Sequence, residues 1–375
     1  MKRMTLSVCG LVFLFTGILC FGILSETLAE YKDYPVPKEC MDQVRKEGSK
    51  LNLYDWAEWW PEKLFKDFEE EFGVKITRDH YGSTNEMITK FKLNPKAPYD
   101  MINGIGPTDF LRLKKLGLLQ RINHDWIPNV NAYLIDSIKN LSFDPGYQYS
   151  VSDSIFFTNY IFNTKYVDPN DPNIDSWKIL FEGEKYAGKM TMLNSHNDCI
   201  GAALQYLGYS YSSDNEEELM KAKEVLLRQK PRVIAYDSWP KRLLLDEEVW
   251  ISHLWSGDSF FIHQEDKNFM GALPREGTYM GTDISVIPIG STHPATAHLW
   301  LNYLFRTEAY ALLLNTIAYT PVHKAALPLL SKEMLKWPGV QVSEEYIKKC
   351  EFIDPKAITG KGLELRIKIW EDLKK

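Results

Sequence analysis

Cysteine is scarce in this 375-residue sequence. Of five cysteines, Cys9 and Cys20 fall in an N-terminal apolar stretch, which leaves Cys40, Cys199 and Cys350 with no close spacing. Thiolate metal sites want pairs such as C-x2-C, so no metal centre is expected. Catalytic signatures are missing too: there is no G-x-S-x-G, H-E-x-x-H, P-loop or G-x-G-x-x-G. Eight histidines are scattered, with Ser195-His196-Asn197-Asp198 and His323-Lys324 the only suggestive clusters. Adjacency in sequence is not a catalytic triad, which geometry defines. The chain is therefore expected to be no enzyme and to need no cofactor. An excess of basic charge is also missing. The net charge of −6 argues against a nucleic-acid partner, which would want basic patches. Beyond residues 5–24 no apolar run approaches membrane-span length, and no short-period repeat, low-complexity tract or evident linker occurs.

What is present begins with an export signal. Met1-Lys2-Arg3 is positive, residues 5–24 are apolar, and the small residues of "SETLAE" fit cleavage after Ala29. The alternative is an uncleaved anchor. Loss of residues 1–29 removes Lys2, Arg3 and Glu26, so the mature chain is slightly more acidic. In an oxidising compartment one disulfide is possible, with Cys40–Cys350 the candidate pair and Cys199 a buried thiol. Connectivity stays open at this point. The length exceeds what one core usually serves, which predicts two domains.

Strand-like runs alternate with amphipathic helices. "KLNLY" (50–54) reads as a strand. Residues 61–72 place Leu64, Phe65, Phe68 and Phe72 on one helical face, with Pro61 suited to the first turn and Gly73 to the end. A strand at 74–81, a helix at 85–93, a strand at 99–104 and a helix at 108–122 capped by Thr108 follow. After residue 150 the pattern restarts. Strands are expected at 189–193, 232–236 and 250–255, and helices at 199–209, 216–230 and 238–249. An extended run at 283–290 precedes one long helix over 294–315. This β-α-β-α order implies an α/β fold with a parallel sheet.

Aromatics stand beside acids where strands are expected to end, which is where open α/β sheets bind ligands. The places are Trp56-Ala57-Glu58-Trp59, Asn194 to Asp198, Trp255-Ser256-Gly257-Asp258 and Gly281-Thr282-Asp283, with Tyr319 after the long helix. Each has a plain alternative. The aromatics fit a core, Asp198 fits a helix cap, Glu58 a solvated loop, and Gly257-Asp258 a turn. Taken together they describe a cleft of ring faces and carboxylates suited to an organic cation.

The chain resembles the periplasmic spermidine/putrescine-binding proteins of ABC transporters over about residues 50–375. The resemblance is carried by "LYDWAEWWPEKLFKDFEEEFGVKI", "PYDMI", "KKLGLLQRI", "DSWKILFEGEKYAGKMTML", "ALQYLGYS", "LWSGD", "REGTYMGTDISVIP" and "NTIAYTPVHKAALPLLSKE". It implies a type II periplasmic binding protein: two α/β lobes with a hinge and a ligand cleft between them. Residues 48–151 and 279–326 would form one lobe and 152–278 and 327–375 the other, after a signal peptide (1–29) and an extension (30–47). It implies that Trp56 and Trp255 stack on the polyamine chain and that Tyr319 adds a ring or hydroxyl contact. Asp283 and Asp198 would take ammonium groups, Asp258 and Glu58 would complete the acidic set, and Trp59 would stand where a tyrosine commonly lines the pocket. The implied setting is the periplasm, with a monomer delivering putrescine or spermidine to membrane permease subunits. An amine sensor docking on a membrane receptor, and a carrier of another solute, are the alternatives.

The chain also departs from the family pattern. "NGIGPTDF" replaces a Pro-Ser stretch, Ala57 replaces Ser/Thr, and Ser195 falls where spermidine-selective members often carry an acid. Gly281 stands in place of a tryptophan, and "SVSDSIFF" occupies the first crossover, near Asp153. The missing tryptophan and acid favour a diamine or another amine.

Overall fold

The computed structural model describes residues 32–57 and 60–375. The signal-peptide reading, Glu58 and Trp59 lie outside them. Tyr34–Lys375 form one compact unit.

Ten strands were found among the described residues: β1 (Lys50–Asp55), β2 (Lys75–His80), β3 (Met101–Ile105), β4 (Ser150–Asn163), β5 (Met190–Met192), β6 (Val233–Tyr236), β7 (Ile251–Trp255), β8 (Phe269–Ala272), β9 (Met280–Val286) and β10 (Thr320–Pro321). Their order is β2-β1-β3-β9-β4-β7-β5-β6, with β8 and β10 also on β4. β1, β2 and β3 run parallel, as do β5, β6 and β7. β9 runs antiparallel to both β3 and β4, and β4 antiparallel to β7. The two parallel sets therefore point in opposite directions along one sheet. Leu51, Leu53 and Tyr54 of β1 are buried, as a strand covered on both faces requires.

Helices cover the sheet. Glu62–Phe72 starts after Pro61 and ends at Gly73, and it buries Leu64, Phe65 and Phe68. Phe65 stacks on Trp300 at 5.3 Å, and Trp60 stacks on Trp300 at 6.0 Å. Each such side chain contributes about 2–3 kcal/mol by leaving water. Lys38–Lys46 lies within the N-terminal extension and buries Cys40 and Val44. Gly360–Lys374 closes the chain, with Arg366, Ile369 and Leu373 buried.

Several boundaries differ from the sequence reading. The helix expected to start at a Thr108 cap runs Pro107–Lys115 from Gly106, with Pro107 in its first turn, and Gly117 (φ +68°) turns the chain before Leu118. The helix at 238–249 is confined to Lys241–Leu245. The long helix over 294–315 is two, Pro294–Leu304 and Thr307–Ile317, because Arg306 is extended and forks onto Glu71 at 2.6 and 2.8 Å. Cys40, Cys199 and Cys350 are free and buried, so Cys40 and Cys350 do not bridge. The Cys40 thiol lies 3.8 Å from the Ala295 carbonyl, and burial pushes it up to about 12. Cys350 instead pairs with Tyr346.

Candidate functional site

Strand direction locates the site. Ile105, the last residue of β3, pairs with Ile284, which pairs with Ser152 on β4. Trp255, the last residue of β7, pairs with Thr158 on the same strand. The carboxyl ends of the two parallel sets thus converge from opposite sides on residues 153–157 of β4. Ligands of open α/β sheets bind at such a meeting of strand ends.

The register of β4 on β9 slips between Ser152 and Ser154, so Asp153 is the extra residue of a bulge. Bulges beside functional sites re-aim side chains. Here the Ser154 hydroxyl lies 2.9 Å from Asp153 Oδ1 and 3.4 Å from Asp283 Oδ2, joining the two acids. Asp153 is fully buried and its Oδ2 has no hydrogen-bond partner. Burial, then the charge of Asp283, holds its carboxyl well above the usual range. Asp283 is itself pushed up to about 7 by burial, against the opposing Ser154 bond. Asp258 is pushed up to about 7 by burial and then by Asp283.

Tyr319 closes this acidic end. Burial raises its hydroxyl, with the charges of Asp258, Asp283 and Asp153 adding to the effect. The approach depends on a glycine in "LWSGD": a Cβ at Gly257 would lie 2.5 Å from Tyr319 Cε1 and 2.5 Å from the Ile317 carbonyl. Trp255 stands at the start of the helix Ser256–Glu265 with no side-chain capping bond, and it is partly exposed.

On the β1 side, Trp56 is partly exposed. Its Nε1–H donates to Gly104 O at 2.8 Å and its ring meets Tyr81 edge-on at 4.5 Å. Burial raises the Tyr81 hydroxyl, and Asp283 is the largest charge acting on it. Trp56 therefore reaches the Asp283 region through one ring. Asp55 does not join the acidic set, because His80 at 2.8 Å and Arg78 at 3.3 Å pair with it. Trp60, the third tryptophan of this stretch, is buried in the core.

Asp198 is not the cap of its helix. Ser195 caps His196–Tyr206 by accepting from the Asp198 N–H, so Asp198 sits in the first turn. It is only 6% exposed and accepts from the Tyr211 hydroxyl at 3.4 Å. Burial pushes it up to about 6, opposed by that bond and by the charge of Arg366. Tyr211 stacks on Tyr279 at 5.0 Å. Burial raises the Tyr279 hydroxyl further under the charges of Asp198, Asp283 and Asp109. Asp198 thus joins the site through two rings.

Sequence reading named Trp56, Trp255, Asp258, Asp283, Tyr319 and Asp198 as candidates; the structure sets Asp153, Phe156, Tyr279, Tyr211 and Tyr81 beside them, of which sequence reading had noted only Asp153, as lying near the first crossover. Phe156 was legible only as part of "SVSDSIFF", whose place opposite β9 is a long-range fact.

An α/β sheet whose two parallel strand sets aim their carboxyl ends at one face of rings and carboxylates has the type II periplasmic binding protein fold, and it defines a binding protein for a small solute. The chain belongs to the bacterial extracellular solute-binding protein family, which it matches over residues 63–342. The spermidine/putrescine-binding periplasmic protein 1 of Haemophilus influenzae is 23% identical over 364 residues, spanning 96% of this chain and 98% of its own. The spermidine/putrescine-binding periplasmic protein of Salmonella typhimurium is 28% identical over 304 residues, spanning 80% of this chain and 86% of its own. Among solved structures, a spermidine/putrescine ABC transporter substrate-binding protein from Streptococcus pneumoniae shares the fold. Its TM-score is 0.78 at 23% identity, covering 87% of this chain and all of its own.

Proposed function

We propose that this protein captures an aliphatic polyamine, putrescine or spermidine, and delivers it unchanged to the permease subunits of an ABC transporter. The observation that carries the reading is the convergence of both strand sets on Asp258, Asp283 and the rings around them. Two acids held near neutrality by burial are poised to ionise when ammonium groups replace their protons. The names of the relatives point to the same solute class. In this reading Trp56, Trp255 and Tyr319 hold the methylene chain, Asp283 and Asp258 take one ammonium, and Asp198 acts from the Tyr211–Tyr279 side. Glu58 and Trp59 lie outside the described residues.

Residues 48–151 with 279–326 would act as one lobe and 152–278 with 327–375 as the other. The chain would cross between them at the start of β4 and again just before β9. A ligand touching both lobes binds the closed form better and shifts the population toward it. The protein would work as a monomer in the periplasm, exported by residues 1–29. Among the described residues no helix is long and apolar enough to cross a membrane.

Titration calorimetry tests this on protein unfolded and refolded to strip bound solute. Micromolar or tighter binding of putrescine or spermidine is expected. No heat with either amine overturns the reading.

A further inference from the structure

Gly281 has no side chain, yet its place on the site face is filled. It pairs directly with Phe156 across the β4–β9 ladder, two residues from the Ser154–Asp283 pair, so all four share one face. A Cβ on Gly281 would lie 2.1 Å from Phe156 Cζ and 2.5 Å from Cε2. The phenyl ring therefore lies flat over the glycine, an arrangement in which an aromatic covers a cross-strand gap. The same ring meets Tyr319 at 5.4 Å and Tyr279 edge-on at 5.8 Å. Tyr319 belongs to the end that holds Asp258 and Asp283, and Tyr279 leads through Tyr211 to Asp198. Phe156 joins these into one aromatic floor between two acidic groups, and it is itself partly exposed.

We propose that Phe156 is a specificity-determining residue of the ligand site, its ring supplying from β4 the face that Gly281 cannot supply from β9 and setting the length of diamine or triamine that lies between the acids. The inference rests on the polyamine reading and deepens it. The ring reaches across from the neighbouring strand into the space a side chain on Gly281 would fill, so it lines the depth between the acidic groups. A short chain packs along it. A longer chain must bow over it. Pocket depth of this kind separates substrates differing by a few methylenes by about tenfold to a hundredfold.

The test is calorimetry of the full chain with putrescine and with spermidine, comparing the parent, Phe156→Ala, Gly281→Ala and the double variant. The expected result is that Phe156→Ala weakens putrescine by about tenfold and spermidine by less, moving their affinity ratio toward the triamine. Gly281→Ala, which collides with the ring, weakens both amines, and adding Phe156→Ala restores binding with the shifted ratio. Parent binding with an unchanged ratio in Phe156→Ala and in the double variant overturns the inference alone. Failure of the parent to bind either amine overturns the polyamine reading and this inference with it.

Discussion

Binding of a cation at Asp258 and Asp283 should release protons, and the number is set by the site. Both carboxyls are pushed up to about 7, mainly by burial. Their neighbours are acids and hydroxyls: Asp153, Ser154 and Tyr319 on this side, with Tyr81 and Tyr279 also in reach of Asp283. At pH 7 each titrating acid of the empty site is about half protonated. An ammonium group favours the ionised form, so binding expels what remains: about 1.8 protons at pH 6, about 1 at pH 7 and about 0.2 at pH 8. Asp283 acts on both Asp258 and Asp153, so the count belongs to the acidic cluster rather than to any one residue. Asp153 is likewise held well above the usual carboxylate range, by full burial and then by the charge of Asp283. Both ammonium groups of putrescine stay charged across this range, so putrescine contributes none. The same linkage makes affinity fall by about tenfold per acid, about a hundredfold for both, between pH 8 and pH 6. Calorimetry in phosphate and in Tris at each pH reads the proton count from the dependence of heat on buffer ionisation enthalpy. Heats independent of buffer at pH 6 and 7, with flat affinity, would refute the reasoning. They would mean that the acids are ionised in the empty protein or do not touch the ligand.

Asp283→Asn should weaken amine binding by about 2–4 kcal/mol at pH 8, because it leaves an ammonium without its charged partner. The same change should raise the melting temperature of the ligand-free protein at pH 8. A carboxyl lifted from its unfolded value near 4 to about 7 costs stability progressively as pH rises through that window, and the amide carries no such cost. Loss of melting temperature together with unchanged affinity would remove Asp283 from the site. Trp255→Ala should cost more affinity than Trp60→Ala, and Trp60→Ala more melting temperature. Trp255 is partly exposed at the strand end, whereas Trp60 is 3% exposed and packed on Trp300. Calorimetry and thermal denaturation of the two variants read the order, and the reverse order would reassign the lip.

Local signals were legible where local physics decides. Alternation in "KLNLY" and the Leu64–Phe65–Phe68 stripe identified β1 and the helix behind it, because one face or core imposes its period on sequence. "LWSGD" read as a strand end with a glycine, and the glycine serves the approach of Tyr319. The longest strand was not legible. β4 is buried along almost its whole length and carries a bulge at Asp153, so its alternation is masked and it reads as a crossover. Asp153 and Phe156, which the sequence did not mark as site candidates, are on that strand. Their surroundings include Asp283 and Gly281, more than a hundred residues away, which no window of sequence contains. The break at Arg306 was hidden for a related reason. Residues Ala295–Leu304 are buried all round and Thr307–Ile317 nearly so, giving one unbroken apolar signal. The capping of the helix at His196 turned on competition between neighbours, which Ser195 wins over Asp198.

Near-neutral acids also explain how an empty site of this kind tolerates its own charge. Three carboxyls meet at Asp153, Asp258 and Asp283, and burying three anions together without counter-charge would be prohibitive. Protonation relieves this. Burial and Asp283 favour the protonated form of Asp153, and the other two share protons with solvent near pH 7. An ammonium ligand then exchanges with protons rather than adding to an uncompensated charge, so closure around it leaves the carboxylates paired. A neutral solute offers no such exchange: the acids stay protonated and form only neutral hydrogen bonds, about half as strong. An anion meets carboxylates that must all be protonated before it can enter. In the proposed reading, selectivity for cations would reside in the same burial that raises the acids, and a substitution that hydrates Asp258 or Asp283 should lower their proton affinity and narrow the gap between charged and neutral solutes together.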